Sequence, residues 1–219
     1  MLPEHLFSKI KVVFFDAEGT LFSIYPSVGH VYARVAQSFG LKVSPERIQR
    51  RFLNIYQKRR GNWQINPESC FEGWQEIFWE TMKSFGTLSD PEAAFQMCYE
   101  CFARKEFFKL SPATLETLQF LRDNGRRLAI ISNWDERLRR LLKELKLEWY
   151  FEKLFISCEI GLAKPDPTFF LFACREMDIT PEESLMVGDS LEDDVLGARK
   201  AGLWALRYPG GSLKRLFRR

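Results

Sequence analysis

Apolar positions along the chain fall into two regimes. Ile10-Lys11-Val12-Val13-Phe14-Phe15 is short, β-branched and aromatic, and it ends in Asp16. Such a run predicts a buried strand followed by a loop, Ala17 to Thr20. Its apolarity is continuous rather than alternating, which implies cover on both faces, as in a parallel sheet. Beyond it the spacing turns helical. Val28, Val31, Tyr32, Val35, Ala36 and Phe39 share one helix face, with Gly40 as a stop. Ser44-Pro45 supplies an N-cap and a first-turn proline for a helix carrying Ile48, Phe52, Ile55 and Tyr56. Trp74, Ile77, Phe78, Met82 and Phe85 mark a third helix. Asp90-Pro91 opens a fourth, with Ala94, Phe95, Cys98, Cys101 and Phe102 on one face. The pattern predicts no strand between Phe22 and Phe108. Four consecutive amphipathic helices with short connections predict a small helical bundle.

From Ser111 strands and helices alternate. Ser111-Pro112 opens a helix that Asn124-Gly125 closes, and Arg127 to Ser132 is a strand. Leu138, Leu141, Leu142 and Leu145 form a helix face, Lys153 to Ser157 a short strand, and Phe169 to Met177 a helix. Ser184 to Gly188 is a strand, Glu192 to Ala201 a helix capped by Gly202, and Trp204 to Tyr208 a last strand. This alternation predicts a parallel sheet with right-handed crossovers. The fold class is therefore α/β. Its core is expected from residues 1–21 and 109–219, and a helical cap domain, residues 22–108, is inserted after the first strand.

Composition narrows the function classes. The chain's 32 Lys and Arg against 29 Asp and Glu leave a net charge of only +3. Opposite signs also alternate along the chain, which argues against a nucleic-acid partner. No apolar run approaches the ~20 residues that span a bilayer, so no membrane partner is expected. The start lacks a charged segment, a long apolar segment and a small-residue cleavage site, which points to a cytoplasmic protein. Five cysteines, scattered at 70, 98, 101, 158 and 174, do not read as a disulfide framework. Cys98 and Cys101 form a lone CxxC. A zinc site would need a second pair or two histidines, and the only two, His5 and His30, lie far off, so both thiols read as core. Arg59-Arg60 and the Lys214 to Arg219 tail read as solvated faces.

Ligands in open parallel sheets bind beyond the carboxyl ends of the strands. The first predicted strand ends in Asp16, the second in Ser132-Asn133 and the fourth in Gly188-Asp189; Lys164 lies in the loop Gly161-Leu162-Ala163-Lys164-Pro165. Two carboxylates, a hydroxyl and an ammonium thus share one rim. Carboxylates with waters and phosphate oxygens hold Mg²⁺. Lys164 can neutralise both Asp16 and a phosphate, and Ser132 can donate to phosphate oxygens. Asp16 can act as a nucleophile, and Glu18 as acid and base. Phosphoryl transfer requires positioning and charge neutralisation, and this set supplies both.

These segments resemble the haloacid dehalogenase superfamily of hydrolases. The match comprises Phe14-Phe15-Asp16-Ala17-Glu18-Gly19-Thr20-Leu21, Ile131-Ser132-Asn133, Lys164-Pro165-Asp166-Pro167 and the run from Val187-Gly188-Asp189 through Asp193-Asp194 to Ala198. They occur in family order and cover essentially the whole chain. The resemblance implies a Rossmann-like core with a four-helix cap after the first strand. It also implies Mg²⁺ as cofactor and a small phosphorylated metabolite as substrate. Asp16 would be the nucleophile and a metal ligand. Glu18 would be the acid and base, with its main-chain carbonyl on the metal. Thr20 would orient that loop. Ser132 and Asn133 would bind the phosphoryl group and Lys164 would hold it. Asp189 would bind the metal, and Asp194 would sit behind it or contact Lys164, with Asp193 as its substitute.

The departure is Glu18, where the family has Asp. Its carboxylate reaches ~1.5 Å further, one carbon–carbon bond. Two readings stay open: a shifted loop with an ordinary phosphatase, or impaired turnover and a weakly active phospho-ligand binder. A metal-independent 2-haloacid dehalogenase is a third reading, against which Gly188-Asp189 with Asp194 reads as a metal arm. Residues 40–45 and 59–68 are candidate substrate-contact loops of the cap.

Overall fold

A computed structural model describes residues 4–59 and 66–217. The chain divides into two units, residues 1–23 with 110–219, and residues 24–109. Along it run β1 (Val12–Phe15), β2 (Phe22–Ile24), β3 (Phe108–Leu110), β4 (Arg127–Ser132), β5 (Lys153–Ile156), β6 (Ser184–Gly188) and β7 (Trp204–Arg207).

The first unit is an α/β fold. Its five strands are parallel, in the order β5-β4-β1-β6-β7. Every side chain of β1 is fully buried, as its unbroken apolar run requires. On one face Val12, Phe14, Ala129, Ile131 and Phe155 pack with Phe169, Phe170 and Ala173 of the helix Pro167–Glu176. On the other face Phe15 meets the rings of Phe151 and Phe217 edge-on or tilted, at 6.4 and 6.5 Å. The helix Thr114–Asp123 packs on β4. With β1 central, Phe15 lies beside Ile130 of β4 and Val187 of β6. That register brings the residues following all three strands to one edge of the sheet.

The second unit holds the helices Val28–Ser38, Pro45–Arg59, Pro67–Met82 and Pro91–Cys101. Ser27, Asn66 and Asp90 cap three of them by accepting backbone N–H groups from His30, Ser69 and Ala93. Each cap satisfies a donor that the first helical turn leaves open. The core is aromatic: Tyr32 contacts Phe52, Phe78 and Phe102, and Phe95 contacts Phe71, Phe78 and Tyr99. Cys98 and Cys101 are buried free thiols, and burial pushes the Cys101 thiol up. Arg59 pairs with Glu76 and Glu80. Arg60, Arg218, Arg219 and residues 60–65 of the expected contact loop lie outside the described residues.

Several local elements differ from the sequence reading. β2 and β3 pair as a two-stranded sheet where no strand was expected. Three residues each are too few to display an alternation. The helix expected from Ser111-Pro112 starts instead at Thr114, because Ala113 adopts a left-handed conformation at φ 63°. The Thr114 hydroxyl bridges that break, with the Ser111 carbonyl at 2.8 Å and the Leu21 carbonyl at 3.0 Å. The expected helix Glu192–Ala201 is a π-helical turn, Leu191–Leu196, followed by an α-helical turn, Gly197–Lys200. Among the described residues no helix is long and apolar enough to cross a membrane.

Candidate active site

Asp16 follows β1 directly. Its N–H donates to the Val187 carbonyl at 2.9 Å, extending the ladder with β6 by one bond. The side chain is therefore delivered to the sheet edge between β4 and β6, only 7% exposed. Lys164 reaches it from the loop before the helix Pro167–Glu176. Its Nζ donates to Asp16 Oδ1 at 2.5 Å and to Asp194 Oδ1 at 2.6 Å, with the side chain 3% exposed. Ser132 Oγ lies 3.4 Å from the same Asp16 oxygen. Asp194 uses its second oxygen to accept the Ser190 N–H at 2.9 Å. The π-helical turn makes this possible: Ser190 caps it by accepting the Asp193 N–H, and Asp194 turns inward.

Asp189 completes the cluster. One oxygen from each of Asp16, Asp189 and Asp194 lies within 4.8 Å of the others. Two glycines permit the approach. Gly19 has φ +91°, and a Cβ there would lie 2.7 Å from the Asp189 carboxylate. A Cβ on Gly188 would lie 2.2 Å from the Asp194 carboxyl carbon. Glu18 stands exposed on the same loop, its backbone bridged to Phe22. Thr20 is fully buried, and its hydroxyl has no hydrogen-bond partner.

Charge in this cluster is unbalanced. One ammonium faces three carboxylates. Burial, the Asp194 carboxylate and that of Asp189 push the Asp16 pKa up to about 7, against the opposing pull of Lys164. Burial and Asp194 also raise Asp189. Burial works against the charge on Lys164, but Asp16 and Asp194 outweigh it and hold the amine above its ordinary value. A set of oxygen donors with surplus negative charge fits a hard divalent cation such as Mg²⁺. Both Asp194 oxygens are already committed, so Asp16 and Asp189 are the carboxylates left to hold it.

The structure thus gathers Asp16, Ser132, Lys164, Asp189 and Asp194 around one point, with the Glu18–Thr20 loop beside Asp189. Asn133 is exposed, and its side chain is engaged with the backbone of Lys164. Two residues here were not foreseen. Asp135 and Arg137, just past Ser132-Asn133, form a buried bidentate pair at 2.8 and 2.6 Å. In the sequence such charges at a helix start read as solvated, and only burial distinguishes them. The glycines Gly19 and Gly188 also gain their meaning only from what they touch.

Comparison with known proteins agrees with this geometry. Residues 10–202 match the family model described as haloacid dehalogenase-like hydrolase. The chain is 28% identical over 204 residues to haloacid dehalogenase-like hydrolase domain-containing protein 3 of Xenopus laevis, covering 89% of this chain and 82% of that one. It is 27% identical over 218 residues to a glyceraldehyde 3-phosphate phosphatase of Methanopyrus kandleri, covering 92% and 85%. Among solved structures, the magnesium-bound HAD-hydrolase YfnB of Bacillus subtilis superposes with a TM-score of 0.77 at 17% identity, over 95% of this chain and 97% of that one. With the fold, the acidic cluster and the family match in agreement, this chain belongs to the haloacid dehalogenase-like hydrolases.

Proposed function

We propose that the protein is a Mg²⁺-dependent phosphatase that hydrolyses a small phosphomonoester through an aspartyl-phosphate. The observation that carries this reading is the single Lys164 ammonium bonded to both Asp16 and Asp194, with Asp189 alongside. Asp16, Asp189 and the main-chain carbonyl of Glu18 would hold the cation, which supplies charge neutralisation for the phosphoryl oxygens.

The protein's own residues do the following. Lys164 and Ser132 both address Oδ1 of Asp16, which leaves Oδ2 the freer nucleophile. Oδ2 attacks phosphorus in line, and the bond to the leaving oxygen breaks with its electron pair. Glu18 gives that oxygen a proton. Glu18, now a carboxylate, takes a proton from water as the water oxygen attacks phosphorus. The acyl phosphate bond breaks, Asp16 is regenerated and inorganic phosphate leaves. Ser132 and the Lys164 ammonium hold the phosphoryl oxygens throughout. The opposite-charge neighbour matters because Asp16 must be ionised to attack, and burial resists ionisation.

Phosphate release from an aryl phosphate tests this. The reading expects release that needs Mg²⁺ and is abolished by Asp16→Asn. Normal turnover in Asp16→Asn, or in a chelator, would refute it. Halide release from a 2-haloacid without metal would favour the dehalogenase reading instead.

A further inference from the structure

Lys164 acts through its side chain, yet its backbone belongs to no strand or helix. It lies between the short helix Ser157–Ile160 and the helix Pro167–Glu176. Both polar groups of its main chain meet one side chain. The Lys164 N–H donates to Asn133 Oδ1 at 2.8 Å, and Asn133 Nδ2 donates to the Lys164 carbonyl at 2.8 Å. A primary amide here reproduces one rung of a β-ladder, donor to acceptor and acceptor to donor. Asn133 follows Ser132, the last residue of β4, which is paired with both β1 and β5. The clamp therefore ties the lysine's Cα to the same rigid sheet that carries Asp16.

Resting on the phosphatase reading above, we propose that Asn133 is a positioning residue, whose amide acts on Lys164 rather than on the phosphoryl group. A lysine side chain has four torsions and a mobile end. Its Nζ can stand between two carboxylates, 2.5 Å from one and 2.6 Å from the other, only if its Cα is fixed. Displacing a reacting group by ~1 Å costs about 100-fold in rate. Only an amide serves this clamp. Aspartate would keep an acceptor for the Lys164 N–H but turn an oxygen against its carbonyl, and alanine would lose both bonds.

The test has two readouts on the full chain. Limited acylation of lysine amines, resolved by peptide mass spectrometry, reports how firmly Lys164 is held whether or not the protein turns over. Asn133→Ala and Asn133→Asp should label Lys164 roughly tenfold faster than the wild type, the factor that goes with losing about one hydrogen bond. Lys153 and Lys214, paired elsewhere on the surface, should label at unchanged rates. Unchanged labelling of Lys164 overturns the proposal. If the alanine variant unfolds, raising every lysine together, the aspartate variant decides. The second readout is a double-mutant cycle on phosphate release. An amide acting through Lys164 predicts that Asn133→Ala adds no further loss to Lys164→Ala. Multiplying losses would mean an independent contact and would overturn the proposal. A wild-type protein without Mg²⁺-dependent release would count against the phosphatase reading, while the labelling ratio would still decide the clamp.

Discussion

Replacing Lys164 with Met removes one ammonium and almost no volume, so the response measures charge. In the native protein that ammonium meets two carboxylates at 2.5 and 2.6 Å, with its side chain 3% exposed. Removing one partner of a buried pair costs about 3–5 kcal/mol when the remaining charge cannot escape. For Asp16 it can escape, because that carboxylate can take up a proton. Its native pKa is already raised, from 3.8 to about 7, and losing the lysine pushes it higher. The native state then binds more protons than the unfolded state between the unfolded pKa and the raised native one. Stability therefore falls as pH rises through that window. In the wild type the fall ends near pH 7; in Lys164→Met it continues above it. The gap between the two proteins should be smaller at pH 5, where only the Asp194 partnership is lost, and should approach 3–5 kcal/mol near pH 9, roughly 6–20 °C in Tm for a chain of this size. Thermal unfolding in a chelator across this pH range measures it. A gap independent of pH, or absent at alkaline pH, would refute the pairing. Phosphate release should fall by about 10²–10³, the cost of losing one preorganised charge contact.

Three further outcomes follow from the same geometry. Glu18→Asp should lower kcat about 100-fold, since the carboxylate retreats by ~1.5 Å and the loop is pinned to Phe22 and Asp189; a rise from near zero would favour the ligand-binding reading. Gly19→Ala should weaken both Mg²⁺ binding and turnover, because a methyl would meet the Asp189 carboxylate and φ +91° disfavours alanine; unaltered titration with Mg²⁺ would contradict this. Mg²⁺ at about 100 times its dissociation constant should stabilise the protein by ~3 kcal/mol at pH 8, read as Tm. The gain should shrink below pH 7, where a proton occupies Asp16.

Much of this site was legible in the sequence, for a physical reason. β1 and β6 are buried along their length and β4 from Leu128 onward, so their apolar runs are unbroken and their ends are polar. Sheet geometry then places Asp16, Ser132 and Asp189 at one edge. What escaped is what sequence periodicity does not encode. β2 and β3 are three residues long. The π-helical turn that aims Asp194 carries the same spacing of apolar residues as the start of an α-helix. Asp135 and Arg137 are charged yet hidden, because each satisfies the other. Asn133 reads in the sequence as a phosphoryl contact, but the bonds its amide makes run to the backbone of Lys164 in a distant loop.

The central claim is that Asp16 forms a covalent bond to phosphorus. Incubation with a phosphomonoester and Mg²⁺, an acid quench and peptide mass spectrometry test it directly. The account predicts one phosphoryl group on the Asp16 side chain, absent from Asp16→Asn. Steady turnover with no phosphoryl group on Asp16 at any quench time, or undiminished turnover in Asp16→Asn, would contradict it.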